Sequence, residues 1–249
     1  MNFQGLERLR QQPNRRPAML QEWHHLLFLH WEVNPELIQA TLPDGLRVDT
    51  YEGKAYIGLV PFFMKRVRPN GLPCFPWLSN FQECNVRTYV SGPQGPGVWF
   101  YSLDCNQPIA VEIARGLFHL SYFHAQMDSS IEAGWVDYET LRTDRSSLNK
   151  QKTVSRFRYG TDGKLKEAVP ESFEFFLVER YLLYTAQFSR RRLYSGRVWH
   201  QPYQIGKTGL EIWDDKLLQI AGFKSPGRAP DHVCYTRKVN VSIFGLQRI

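Results

Sequence analysis

Between residues 81 and 105 the chain reads FQECNVRTYV, SGPQGPG and VWFYSLDC, so two segments of strand length carry ionisable groups inside apolar alternation. Period-two alternation puts Phe81, Glu83, Asn85, Arg87 and Tyr89 on one face, and Gln82, Cys84, Val86, Thr88 and Val90 on the other. The same rule sends Val98, Phe100, Ser102 and Asp104 to one side of the second segment. Two arrangements satisfy this pattern. Glu83 and Arg87 form an ion pair on a solvated sheet face, or they project inward as the convergent polar groups of a pocket inside a closed sheet.

The flanking sequence favours a sheet that is covered on both sides. KAYIGLVPFFMKRV is apolar on both faces at its centre, as a strand in a barrel or beneath helices is. WHHLLFLHWEV reads as a first strand. NPELIQATLPDG reads as a short helix, with Asn34 as cap, Pro35 in the first turn and Gly45 beyond the end. Residues 46–51 and 54–67 form an expected hairpin about Glu52 and Gly53. PIAVEIARGLFH repeats Ala110, Ile113, Ala114 and Leu117 at helical spacing. Further strands are expected at 122–128, 134–141, 152–159, 181–189, 193–205 and 232–245, with short helices near 172–180 and 210–221. Strands dominate and no βαβ order appears. The expected fold is therefore mainly β, a strongly curved antiparallel β-barrel with a few short helices. A single domain over residues 19–249 would follow a basic tail over 1–18.

Composition narrows the function classes. Aromatic residues are 14% of the chain, enough to build a sizeable core. The longest apolar runs fall short of the roughly 20 residues of a membrane helix, and the N-terminus lacks the apolar segment of a secretory signal. No membrane association and a cytoplasmic location are expected. Cys74, Cys84, Cys105 and Cys234 contain no C-x-x-C pair, so reduced thiols are expected and no zinc site. Neither His24 with His25 nor His119 with His124 has the i, i+4 spacing of a helical metal site. The net charge of +7 suits an anionic partner. Its arginines, Arg8, Arg10, Arg15 and Arg16 among them, come without any helix-turn-helix, zinc-finger or RNP pattern, so a nucleic-acid partner is not expected. Arg190, Arg191 and Arg192 read as an exposed hairpin tip. Phosphate-loop, dinucleotide-binding, H-E-x-x-H and G-x-S-x-G motifs are all missing, and no cofactor is implied.

Several runs, FLHWEVNPELIQATLPDGLRVDTYEGKAYIGLVPF, LPCFPWLSNFQECNVRTYV, GVWFYSLD, ARGLFHLSYFHAQM, FLVERYLLYTA and GRVWHQPY, resemble in order the uncharacterised YqjF-like group of the acetoacetate decarboxylase-like superfamily. The resemblance covers roughly residues 20–245. It implies a curved β-barrel with its site in the interior, but no activity, since the group has none established. In the decarboxylases a lysine, its pKa depressed by a neighbouring lysine, forms a Schiff base with a β-keto acid, and the imine nitrogen accepts the electrons released as carbon dioxide departs. Matching Arg115 to the arginine of their G-R-E segment puts Tyr122 and Phe123 where the lysine pair stands, and neither side chain forms an imine. A working acetoacetate decarboxylase is therefore not expected. Glu83 matches an active-site glutamate of that family.

Glu83 and Tyr122 are accordingly the candidate catalytic residues, as general base and hydroxyl donor. Arg87 and Arg115 are candidates to receive an anion, with His30, Asp104 and His119 as further ligand-binding candidates. The expected partner is a small molecule, anionic or carbonyl-containing. Two competing expectations are a decarboxylase-like lyase with a relocated lysine (Lys54, Lys65 or Lys152) and a non-catalytic interaction module using the basic tail. Aromatics in WLSNF and RVWHQPY suit a homo-oligomer interface as well as a pocket mouth.

Overall fold

Ala55–Met64 is buried at every position, which an isolated two-faced strand achieves only with neighbours on both edges and cover on both faces. The computed structural model describes residues 3–144, 154–161, 163–187 and 192–249. In chain order its first half holds α1 (Phe3–Arg10), β1 (Met19–Val33), α2 (Pro35–Gln39), β2 (Arg47–Val48), β3 (Ala55–Pro69), α3 (Pro76–Ser79), β4 (Phe81–Gly92), β5 (Gly95–Cys105) and α4 (Pro108–Phe118). There follow β6 (Tyr122–Glu132), β7 (Trp135–Arg142), β8 (Val154–Gly160), β9 (Lys166–Glu167), α5 (Phe173–Val178), β10 (Leu182–Gln187), β11 (Arg192–His200), β12 (Gln204–Gly206), β13 (Leu210–Ile212), α6 (Lys216–Ile220), β14 (His232–Ile243) and β15 (Gln247–Arg248).

The sheet path β5-β10-β11-β14-β1-β3-β4 closes because β4 also pairs with β5. The result is a strongly curved ring, with β6, β7, β8 and β13 continuing outward from β5. Most pairs are antiparallel as expected, but β5 pairs in parallel with both β10 and β6. Two local expectations give way to tertiary pairing. The turn at Glu52 and Gly53 is present, both with positive φ, yet β2 pairs with β4 and only Tyr51 bridges Lys54. Residues 210–212, expected in a helix, instead extend the outer sheet beside β8, and the helix begins at Lys216.

The β4–β5 register decides which side chains face inward. Val86 pairs with Ser102 but Arg87 pairs with Phe100, so Tyr101 is an extra residue in β5 without a β4 partner. This bulge flips the alternation. Val98, Phe100, Leu103 and Cys105 share the inner face with Glu83, Asn85 and Arg87, while Ser102 and Asp104 turn outward. β4 itself keeps its period throughout.

The residues expected to form a basic tail contain α1, whose Leu6 and Leu9 are buried at 0% and 7% exposure. Arg197 donates to the carbonyls of Leu9 and Gln11, and Trp199 Nε1 to that of Arg10. The RVWHQPY run is thus engaged internally, whereas Trp77 of WLSNF stands 67% exposed. Arg190, Arg191 and Lys152 lie outside the described residues. Among the described residues, no helix is long and apolar enough to cross a membrane.

Candidate functional site

The ring encloses a cavity of about 490 Å³ lined by β1, β3, β4, β5, β10 and β11, with α4 along one side. α4 forms because Pro108 fits its first turn and the Gln107 side chain accepts from Ile109 N; it ends at His119, which adopts a left-handed φ of 51°. Ala18, Pro69, Ile113 and Leu117 line the cavity and are exposed, so they mark its mouth. Arg87, Val178, Arg180 and Tyr203 line it and are buried. Register places these two groups at opposite ends. Met64 lies opposite Phe81 near the mouth, Phe62 opposite Glu83, Val60 opposite Asn85, and Gly58 opposite Arg87 at the floor.

Near the middle, Tyr122 donates its hydroxyl to Glu83 Oε2 at 2.6 Å. Tyr122 reaches that place because β6 starts in parallel beside Leu103, and Arg115 Nε holds its carbonyl at 2.8 Å. Burial raises the Glu83 carboxyl from 4.5 to about 7; hydrogen bonds from Tyr122 and Asn85 oppose the rise, and the Asp104 charge adds to it. Burial likewise lifts the Tyr122 phenol well above its ordinary value, helped by the Glu83 charge. A carboxyl poised near neutrality beside a phenol donor is able to give or take a proton.

At the floor, Arg87 is 7% exposed and, among the described residues, no carboxylate lies within 4.0 Å of it. Its Nη2 makes long contacts with Tyr89 Oη at 3.5 Å and Leu177 O at 3.4 Å, and its Nε has no partner. The ring faces of Phe28 and Tyr89 lie 5.3 and 5.7 Å from its guanidinium carbon. Gly58 makes room for this group: a Cβ there would stand 3.1 Å from His30 Cδ2 and 3.5 Å from Arg87 Cγ. Arg180 lies alongside but is paired with Asp49 at 2.8 Å. Arg87 and Glu83 therefore form neither a solvated ion pair nor any direct pair.

The other sequence candidates occupy different places. His30 is fully buried behind the floor, its Nε2 at 2.6 Å from Tyr89 Oη and its Nδ1 at 3.0 Å from His232 Nδ1. Burial, His232 and Arg87 hold it well below the ordinary imidazole range, so it supports Tyr89 as a neutral ring. Asp104 accepts from Arg142 Nε and Nη2 at 2.8 and 2.6 Å on the outer side of the sheet. Burial raises its carboxyl to about 6 against the pull of Arg142. Arg115 also pairs with Glu112 and Asp144, and the His119 ring packs on Tyr194; neither lines the cavity. Phe123 points away from Tyr122, beneath the Arg142 guanidinium at 4.1 Å. Lys54 pairs with Glu32, and Lys65 lies 5.9 Å from the Phe63 ring; neither lines the cavity. Arg180 and Tyr203 join the site without having been candidates, although Glu179-Arg180 inside FLVERYLLY carries the same signal as Glu83, charge within an apolar run. Among the described residues, no group of three or more His, Cys, Asp or Glu is placed to hold a metal ion.

The closed, strongly curved β ring is similar to the fold of solved acetoacetate decarboxylase-like structures. The acetoacetate decarboxylase of Legionella pneumophila superposes with a TM-score of 0.63 at 10% identity, over 96% of this chain and 91% of that one. The enduracididine biosynthesis enzyme MppR, complexed with pyruvate, superposes with a TM-score of 0.61 at 13% identity, over 96% and 93%. These similarities establish the fold. Residues 20–240 match DUF2071, a family described as an uncharacterized conserved protein, and the chain belongs to that family. It is 33% identical over 230 residues to the uncharacterized protein YqjF of Bacillus subtilis strain 168, covering 92% of each.

Proposed function

We propose that this protein binds a small anionic molecule inside its ring without forming a covalent lysine adduct. The observation that carries this reading is Arg87, a permanent cation buried at the cavity floor with, among the described residues, no carboxylate beside it. Burying an unpaired charge costs several kcal/mol, of which aromatic faces return about 1–2 kcal/mol. The neighbouring charges do not restore the balance, because Arg180 is matched by Asp49 and Arg142 by Asp104. An incoming anion does. MppR, with the same fold, holds pyruvate, itself a small carboxylate. None of the described residues lining the cavity is a lysine, which favours non-covalent binding. Glu83 and Tyr122 then act on the bound molecule as proton carrier and hydroxyl donor, whether in recognition or in turnover.

Intact mass spectra of the freshly purified protein and of Arg87→Met, under native and denaturing conditions, test this. An added mass in the native spectrum of the wild type, absent after denaturation and absent from the variant, is expected. Mass that survives denaturation would revive covalent lysine chemistry, and equal retention by Arg87→Met would remove Arg87 from the site.

A further inference from the structure

The two polar centres of the cavity are far apart, and that separation constrains the ligand. Glu83 and Arg87 are four residues apart on one uninterrupted strand, about 13 Å at roughly 3.3 Å per residue. Their side chains engage different partners. The Glu83 carboxyl is taken by Tyr122 from β6, while Arg87 Nη2 leans toward Tyr89 and Leu177, farther from Glu83. Between them lie Asn85, whose Oδ1 has no partner, and the apolar side chains of Val60 and Leu103, with Phe100 opposite Arg87. The mouth beyond Glu83 carries Ile113 and Leu117, at 42% and 70% exposure, with Arg68 at its rim. A β-keto acid places its two oxygen-bearing carbons only two bonds of about 1.5 Å apart, so it cannot touch both centres.

Building on the anion-binding reading above, we propose that the ligand is an elongated amphipathic monocarboxylate. Its carboxylate sits at Arg87, its apolar chain runs along β4, and a remote hydroxyl or carbonyl lies against Glu83 and Tyr122. One negative charge matches the buried Arg87 guanidinium, which among the described residues has no ion-pair partner, and the apolar walls reward a hydrocarbon chain rather than a more polar spacer. A ten-carbon chain with bonds of about 1.5 Å extends roughly 12 Å, close to the backbone span between the two centres. The carboxylate enters first, because the mouth lies at the Glu83 end.

Isothermal titration of the wild-type protein with butyrate, decanoate, ω-hydroxydecanoate and decanol tests both levels without relying on any variant. Decanoate is expected to bind at least about a hundredfold more tightly than butyrate, decanol not measurably, and ω-hydroxydecanoate about tenfold more tightly than decanoate. Tyr122→Phe should erase the preference for the hydroxyl, so that ω-hydroxydecanoate and decanoate bind the variant equally tightly. Butyrate binding as tightly as decanoate would overturn the length assignment and leave the anion site standing. Decanol binding as well as decanoate, or no carboxylate binding at all, would overturn both.

Discussion

Replacing Glu83 with glutamine removes a buried ionisable group while keeping its shape, and the consequence is a stability difference that depends on pH. In the unfolded chain the carboxyl titrates near 4.5, and in the folded protein near 7. Below pH 4.5 both states hold the proton and burial costs nothing extra. Between 4.5 and 7 the unfolded chain has lost its proton and the native protein keeps one, so wild-type stability falls as pH rises. Above 7 both are ionised and the penalty is constant. At about 1.4 kcal/mol per pH unit, the window corresponds to about 3 kcal/mol. Glutamine has no such proton. The unfolding free energy of Glu83→Gln minus that of the wild type should therefore rise by about 3 kcal/mol from acid to pH 8, with the change centred between 4.5 and 7. Urea unfolding of both proteins at a series of pH values gives this difference, and subtraction cancels the groups they share. A flat difference would show that Glu83 titrates as in the unfolded chain, and one that falls with pH that it ionises more readily than there; either would mean that it is not poised near neutrality to carry a proton.

Other expected outcomes address the frame around the cavity. Asp104→Asn removes the buried carboxylate that faces the Arg142 guanidinium and should cost about 3–5 kcal/mol by urea unfolding; a loss under 1 kcal/mol would mean that solvent reaches this pair. Leu6→Ala should cost about 2–5 kcal/mol although it lies among the first residues of the chain, and an unchanged melting temperature would show that α1 does not hold to the body in solution. Among the four free cysteines only Cys74 is partly exposed, so a thiol reagent should label it in the native protein and reach Cys84, Cys105 and Cys234 only on unfolding. Rapid labelling of all four would contradict the burial of the ring interior.

The face of β4 that holds the site is legible in the sequence, because a strand without a bulge keeps strict period two from Phe81 through Arg87. Tyr122 emerges from the family resemblance rather than from its surroundings, since its proximity to Glu83 depends on a parallel pairing that nothing local announces. Strict alternation misplaces Asp104 because one extra residue, Tyr101, reverses the faces of β5. Arg115 looks available in sequence as a lone cation at a helix end. Its guanidinium is spent on the Tyr122 carbonyl and on Asp144, which meets it only when β7 folds back beside β6. Arg180 escapes notice for a related reason: its partner Asp49 lies 131 residues away, so neither reads as half of a buried pair. Curvature and strand content follow from local patterning, whereas charge balance follows from distant pairings, and Arg87 differs from Arg142 and Arg180 in having no carboxylate partner among the described residues.

The most direct measurement is a crystal structure of the protein with decanoate. The carboxylate is expected within hydrogen-bond distance of the Arg87 guanidinium at the cavity floor, with the chain running toward Glu83. A carboxylate held instead by Arg68 at the rim, or density joined to a lysine, would contradict an anion site built on Arg87.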